Sequence, residues 1–550
     1  MDGLDGRLLR RWAHAAHEAL VVAHERIDAV NVFPVADADT GTNVLLTVTG
    51  GRQALDVVPQ DAGAGEVAHA FAHGALLAAR GNSGVILSQY LAGLARGLPA
   101  VADATALATA FGSASRSARA AVTDPQEGTV LTVARDVADG AQVAADAGAD
   151  LGTLLDGVLA DAHRSLARIS SQHPVLRAAH VLDAGACALL VVLDSLARVV
   201  RGEGPPSDAD LAWLPVAGVA AHGIEGGGAF EVMLLVRTSG DTGSPALDDG
   251  SGPGALLRER LPMLGDSVAV VGADGWWHVH VHTDAPAEVV AACAVGAREQ
   301  VVVRLVAAGH AGTVGTLDEH APSGVVVCTA SPGLAAWYAA LGAVVVLRCP
   351  ETPLGARHLG RAVVDAGTGA VTVLTGGVVE KEVLADLAAV PGPWGERLQG
   401  VQVVETGDEL GATVALLALT GSAPDGHAWS GARAAVQRLR STALGRPGPG
   451  APDGASGTGP GAGPDAGPDG VAGRAVADVL EAVDALEAGW PSDAAPAEHL
   501  TLLHGEQLAP DDLQEIATRL EAVLATRHPM LELLVLGPAA GIDGLRAGLD

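Results

Sequence analysis

Lysine is almost absent from this chain: of 550 residues only Lys381, within "VVEKEV", carries an ammonium side chain. No GxxxxGK[ST] occurs, which excludes a P-loop nucleotide enzyme. Any phosphate chemistry must therefore neutralise charge with arginine, with helix N-termini or with metal ions held by carboxylates. Positive charge of any kind is scarce, 33 Lys and Arg against 64 Asp and Glu, and a formal net charge of -31 argues against nucleic acid as a partner. Cys187, Cys293, Cys328 and Cys349 are scattered and form no CxxC, which suits a reducing compartment better than a disulfide scaffold. Long apolar runs are missing too: "ACALLVVLDSLARVV" is broken by Asp194 and Arg198 and is too short to span a bilayer. The opening "MDGLDGRLLRRWAHAAHEAL" carries acids at once and reads as no signal peptide. The expectation is a cytoplasmic protein without a transmembrane segment.

What is present is a globular composition, 49% hydrophobic and 18% charged, in a chain too long for one core. Residues 7 to about 202 keep apolar positions at helical spacing, as in "TLLDGVLADAHRSLARI", and predict an all-helical domain over 1–202. A Pro/Asp break, "EGPPSDADL", ends it. From 212 to 318 strands appear in "GAFEVMLLVRT" and "SVAVVGADGWWHVHVHT", the latter turning at Asp274-Gly275, with helical stretches between and after them. This predicts a small α+β domain. Over 322–550 strands alternate with amphipathic helices, from "GVVVCTA" to "LELLVLG", which argues a parallel sheet covered on both faces. A Gly/Pro-rich stretch at about 445–472 interrupts that pattern as a flexible loop.

Two stretches carry polar chemistry. "NVFPVADADTGTN" sets Asp37 and Asp39 one residue apart before an apolar run. Asp and Asn beside Thr-Gly-Thr commonly cap a helix, yet a cap needs one carboxylate, and a pair at i and i+2 costs repulsion. Such a pair suits Mg²⁺, which uses one or two carboxylates together with substrate phosphates, while the helix N-terminus receives phosphate oxygens. "AARGNSGVILSQ" is either a plain helix connection capped by Asn82 or Ser83, or a phosphate cradle in which Gly81 and Gly84 admit the anion and Ser83 donates.

With "EGTVLTVARD" and "VLDAGACAL" these stretches form an ordered set of four. The set resembles the nucleotide-binding (DhaL-type) domain of the dihydroxyacetone kinase superfamily, and more closely the three-domain bacterial proteins typified by the kinase component of fatty acid kinase, FakA. The resemblance covers most of the chain. It implies an eight-helix barrel that binds ATP with two Mg²⁺ ions at one open end. Asp37 and Asp39 match the metal-binding, catalytic aspartates, and Asn31 matches a further metal position. Gly41, Thr42, Asn43, Asn82, Ser83 and Gly84 match positions near the phosphates, and Thr129, Asp183 and Gly185 match positions around the nucleotide. Two departures stand out: Ala36-Asp37-Ala38-Asp39 replaces Pro-Asp-Gly-Asp, and Asp183-Ala184-Gly185-Ala186-Cys187 replaces Asp-Ala-Gly-Gly-Gln. Ala38 thus puts a methyl where the backbone can need unusual dihedrals.

"WWHVHVHTD" places His278, His280 and His282 on one face of a strand. The outer two lie about 13 Å apart along the backbone, so His280 and His282 with a group from a neighbouring strand form the better metal pair. The alternative is an exposed or partner-facing polar strand. The family resemblance implies Zn²⁺ held here by two histidines and a cysteine; Ala229 stands at the cysteine position, leaving His278, Glu231 or water to complete the set. The C-terminal region resembles a DegV-like fold with eroded signature segments, expected to dock a carrier rather than hold lipid.

The resulting expectation is an ATP- and Mg²⁺-dependent kinase that phosphorylates a fatty acid carboxylate presented by a separate DegV-like fatty-acid-binding carrier protein. Dihydroxyacetone is the alternative acceptor, and a nucleotide-binding scaffold without turnover is the alternative class. The assembly could be a homodimer.

Overall fold

The structure, a computed structural model, describes residues 3–33, 38–122, 125–214, 228–238, 252–306, 324–366, 370–387, 390, 400–420, 428–444, 471–490 and 496–550. Asp37 and nearly all of the Gly/Pro-rich stretch lie outside them. The chain divides into two compact units, one of which is Met1–Leu317 with Ala389–Leu398, the other Asp318–Ala388 with Gln399–Asp550.

The first unit opens with helices α1 (Gly6–Asp28), α2 (Thr40–Ala54), α3 (Ala64–Ala78), α4 (Gly81–Gly97), α5 (Ala104–Ala120), α6 (Val130–Asp146), α7 (Leu151–Ser170), the short α8 (Pro174–Ala179) and α9 (Ala184–Arg201). Several starts are capped as their sequences dictate: Asp5, Asp103, Asp150 and Asp183 each accept from a backbone N–H one turn into their helix. The long helices pack in chain order, α7 meets α9, and α9 returns to α1, so that apolar faces converge on one core. Trp12 closes the circuit: fully buried, it donates its indole N–H to the Val192 carbonyl at 2.9 Å. The helical region does not stop at 202, because Leu211 and Leu214 of the Pro/Asp break are buried in the same core. Among the described residues no helix is long and apolar enough to cross a membrane.

The expected separate middle domain belongs to this same unit. Strands β1 (Phe230–Arg237), β2 (Asp266–Ala273), β3 (Trp276–Thr283) and β4 (Ala297–Leu305) form an antiparallel sheet in the order β2-β3-β1-β4. Helices α10 (Pro253–Arg260) and α11 (Pro286–Ala292) pack on it. The Asp274-Gly275 hairpin is present, with both residues at positive φ as a tight two-residue turn requires. Strand β4 was not expected from the sequence. A seam of Leu76, Ala79, Val85 and Ala121 with Ala269 and Val271 joins sheet to helices.

In the second unit β5 (Gly324–Thr329), α12 (Pro332–Ala340), β6 (Val344–Leu347), α13 (Ala356–Asp365), β7 (Val371–Leu374), α14 (Lys381–Leu387) and β8 (Val401–Val404) build the predicted parallel sheet, in the order β6-β5-β7-β8. Helices α15 (Glu409–Thr420) and α16 (Ala428–Arg438) follow. The C-terminal segments do not extend that parallel pattern: β9 (Arg440–Leu444), β10 (His499–His504), β11 (Glu532–Leu536) and β12 (Leu545–Leu549) make a second, mixed sheet in the order β11-β10-β12-β9, with α17 (Val471–Ala488) and α18 (Pro510–Arg527). Because β12 runs antiparallel to both neighbours, the strand-helix alternation that implied one parallel sheet is misleading here. Helix α17 begins at Val471, inside the stretch expected to be loop.

Candidate functional site

The head of α2 is where the sequence placed its aspartates. Asp39 occupies the N-cap position with φ -125° and ψ 2°, yet its side chain makes no capping bond. The capping is done from a distance by Asp28, at the end of α1, which accepts from the Gly41 N–H at 2.6 Å, the Thr42 N–H at 3.2 Å and the Thr42 hydroxyl at 2.8 Å. Burial pushes the Asp28 carboxyl up to about 7 despite those donors. Asp39 is thereby released from the structural duty that its position suggests. Just before it, Ala38 sits at φ 55°, in the left-handed region that favours glycine.

Asp39 opens onto a niche of about 20 Å³, the room of one ion or water, walled by Asn31, Thr40, Asn43, Asn82, Ser83, Glu231, His280 and His282. Carboxylate and amide oxygens of this kind fit a hard divalent cation. Thr40, Asn82 and Ser83 also line a neighbouring cavity of about 690 Å³ inside the helical region. Its walls are mostly apolar, with Thr129, Asp183 and Gly185 at helix starts. The buried Tyr90 hydroxyl on this wall has no hydrogen-bond partner among the described residues. Asp183 caps α9 through the Ala186 N–H at 2.7 Å, and its burial raises it to about 6. Residues 262 and 265–268, before and at the start of β2, close one side of this cavity, so the middle region is part of the pocket.

Not every expected residue arrives there. Gly41 and Thr42 are engaged by Asp28, and a Cβ on Gly41 would collide with the His24 carbonyl oxygen, so that glycine serves the α1–α2 approach rather than an anion. Gly84 is likewise a packing glycine, because a Cβ there would run into Thr47 Oγ1. Asn31, Asn43, Asn82, Ser83, Thr129, Asp183 and Gly185 do line the niche or the cavity.

The histidine strand is neither exposed nor separate. His278, His280 and His282 are all buried, facing the helical half of their own chain. His278 donates Nε2–H to the Ala79 carbonyl at 3.1 Å and so acts as a tie rather than a ligand. Glu231, His280 and His282 each offer one atom within 4.8 Å of the others. His280 Nε2 and His282 Nδ1 have no hydrogen-bond partner among the described residues, and burial lowers His282 to about 4, leaving it neutral at ordinary pH. These donors fit a transition-metal ion such as zinc, with the Glu231 oxygen in place of the missing thiolate. Besides Asp28, sequence reasoning missed Arg304. Placed on β4 directly opposite Glu231, it donates from Nε to Glu231 Oε2 and from Nη2 to Asp39 Oδ2, the latter at 2.8 Å. Burial alone would raise Glu231, but Arg304 and His280 overcome it and hold the carboxyl well below its usual range.

A helical region built around an apolar-walled cavity, with an antiparallel sheet that supplies polar groups to one end of it, defines the class. The chain belongs to the dihydroxyacetone kinase superfamily, as a FakA-like protein: residues 34–198 match the DAK2 domain and residues 229–311 the FakA-like middle domain, that of fatty acid kinase. Among its relatives, Protein YloV of Bacillus subtilis (strain 168) is 32% identical over 372 residues, 64% of this chain and 66% of YloV. An uncharacterized protein of Staphylococcus saprophyticus is 32% identical over 298 residues, 52% of each chain. The chain thus spans just under two thirds of the first and about half of the second. Among solved structures, the dihydroxyacetone kinase from C. freundii in complex with AMP-PNP and Mg²⁺ aligns over 35% of this chain and 33% of that one, at 18% identity and a TM-score of 0.27.

Proposed function

We propose that this protein is an ATP- and Mg²⁺-dependent phosphotransferase whose acceptor is a fatty acid carboxylate presented by a separate lipid-binding carrier, giving an acyl phosphate. The observation that carries the reading is Asp39 at the head of α2, released from capping by Asp28 and opening onto a niche of amide and hydroxyl groups beside a large apolar-walled cavity. The cavity takes the adenosine, and Asn43, Asn82 and Ser83 face the phosphates. Asp39, with Asp37 and Asn31, would hold the Mg²⁺, which supplies neutralisation of the triphosphate charge when bound. In the transfer, a carboxylate oxygen of the acceptor forms a bond to the γ-phosphorus, the bond from that phosphorus to the bridging oxygen breaks, and ADP leaves with the electron pair. No proton moves, because the acceptor is already ionised. Dihydroxyacetone would instead require a base to take its hydroxyl proton.

Incubation with ATP, Mg²⁺ and carrier-bound fatty acid, with hydroxylamine to trap acyl phosphate, tests the reading. Hydroxamate that disappears in Asp39→Ala is the expected result. Tight Mg-ADP binding with no hydroxamate on any carrier would favour the second reading, a nucleotide-binding scaffold, for which the strained Ala38 speaks. Zinc at Glu231, His280 and His282 is a separate expectation; metal analysis of the purified protein that finds none removes it.

A further inference from the structure

Among the described residues that wall the niche there is no arginine or lysine, although a triphosphate is to be bound beside Asp39 and Glu231. The positive charge that touches this group is Arg304, and its two ion pairs differ in strength. Glu231 is almost fully buried, and the pair from Arg304 Nε crosses directly from β4 to β1, so this end of the guanidinium is fixed. Asp39 and Arg304 are each more than a fifth exposed, and the Nη2 contact between them is of the half-open kind that contributes little and exchanges readily. A planar guanidinium held at Nε lets its Nη donors change partner without moving the strand.

We propose that Arg304 is a catalytic residue of this site, which neutralises Asp39 while no cation is bound and turns its Nη groups to the transferring phosphoryl group once Asp39 has taken up Mg²⁺. The inference rests on the phosphotransferase reading above. In a pocket without lysine it assigns the role that an arginine supplied in cis plays elsewhere, stabilising charge on the equatorial oxygens of the phosphoryl group in flight. It also gives Glu231 a purpose independent of any transition metal: the buried carboxylate aims the guanidinium. Empty, the site stores Arg304 against Asp39, so a cation must displace it before phosphate can be engaged.

The test uses the full chain and Arg304→Gln, alongside the double variant Glu231→Gln, Arg304→Gln, which leaves no buried carboxylate unpaired. Three readouts are taken: acyl phosphate formation, affinity for Mg-ADP with and without aluminium fluoride as a mimic of the phosphoryl group in flight, and the Mg²⁺ concentration that half-saturates ADP binding. Expected in both variants are a fall in turnover of about 10³-fold or more, loss of the extra affinity that aluminium fluoride confers while Mg-ADP binding stays within a few-fold, and a lower half-saturating Mg²⁺ concentration because Asp39 is no longer occupied. A merely structural arginine would weaken Mg-ADP and its fluoride complex alike. An unchanged ratio between those two affinities, or an unchanged Mg²⁺ requirement, overturns the proposal. If the wild type makes no acyl phosphate on any carrier, the phosphotransferase reading fails by itself, and the affinity ratio still decides the role of Arg304.

Discussion

Ala38 is the residue at which sequence and backbone disagree most sharply. At φ 55° its methyl group costs about 1 kcal/mol relative to glycine, because Cβ crowds the following carbonyl in the left-handed region. Ala38→Gly should therefore raise stability by about 0.5–1 kcal/mol, less whatever glycine gains in the unfolded chain. Urea unfolding of the two proteins reads this directly, and a destabilised variant would mean that the turn does not need its present geometry. Asp183 offers a pH signature. Burial raises it to about 6 from an ordinary 3.8, so the folded state prefers the protonated form. The stability it contributes is complete below about pH 4 and is lost as pH rises through about 6. The amide introduced by Asp183→Asn would accept the same Ala186 N–H without ionising. The stability of that variant relative to wild type should then climb between about pH 4 and 6 and level off above, at up to about 3 kcal/mol for a two-unit shift. A flat difference in thermal unfolding across that range would show that the carboxylate is already well solvated or compensated.

At the scale of elements, the sequence was legible wherever a local pattern decides the outcome. Helical periodicity located the helices around the core, alternation located β3, and Asp274-Gly275 located its turn, since each depends on neighbours in the chain. The site was half legible for the same reason. Asp39, Asn43, Asn82 and Ser83 lie in quotable motifs, but the cap of α2 comes from Asp28, 13 residues upstream of Gly41, and only the fold brings the two together. Strand β4 went unread because "AREQVVVRL" puts three valines in a row, which shows no clean alternation, and Arg304 was lost with it. The short β9 and β12 are edge and centre of a sheet by pairing alone; nothing in "RSTAL" or "LRAGL" has strong strand propensity. A further consequence concerns β2, whose Val271 packs against the α3 and α4 ends while the residues at its start close the large cavity. Val271→Ala should cost about 2 kcal/mol by cavity formation and should weaken Mg-ADP binding as well, because the sheet no longer seats firmly on the pocket. Calorimetric binding that stays at the wild-type value in a destabilised variant would separate the seam from the site.

For the whole molecule the dominating quantity is the formal net charge of -31, which the nucleotide must approach with a charge of the same sign. At low ionic strength the Debye length extends over tens of ångströms, and the repulsion reaches well beyond the pocket; at about 0.15 M it shrinks to about 8 Å and only the groups around Asp39 are felt. Ordinary nucleotide sites built on lysine behave oppositely, losing affinity as salt screens an attraction. Here, at fixed free Mg²⁺, raising NaCl from about 20 mM to about 150 mM should increase both the association rate and the affinity for Mg-ATP. The effect should be smaller for Mg-ADP, which carries less charge. Stopped-flow binding at several salt concentrations measures it. A rate that falls with salt would mean that a local positive field, from Arg304 and the bound cations, outweighs the acidic surface at the distances where encounter is decided, and the charge balance of the chain would then not govern how it meets its nucleotide.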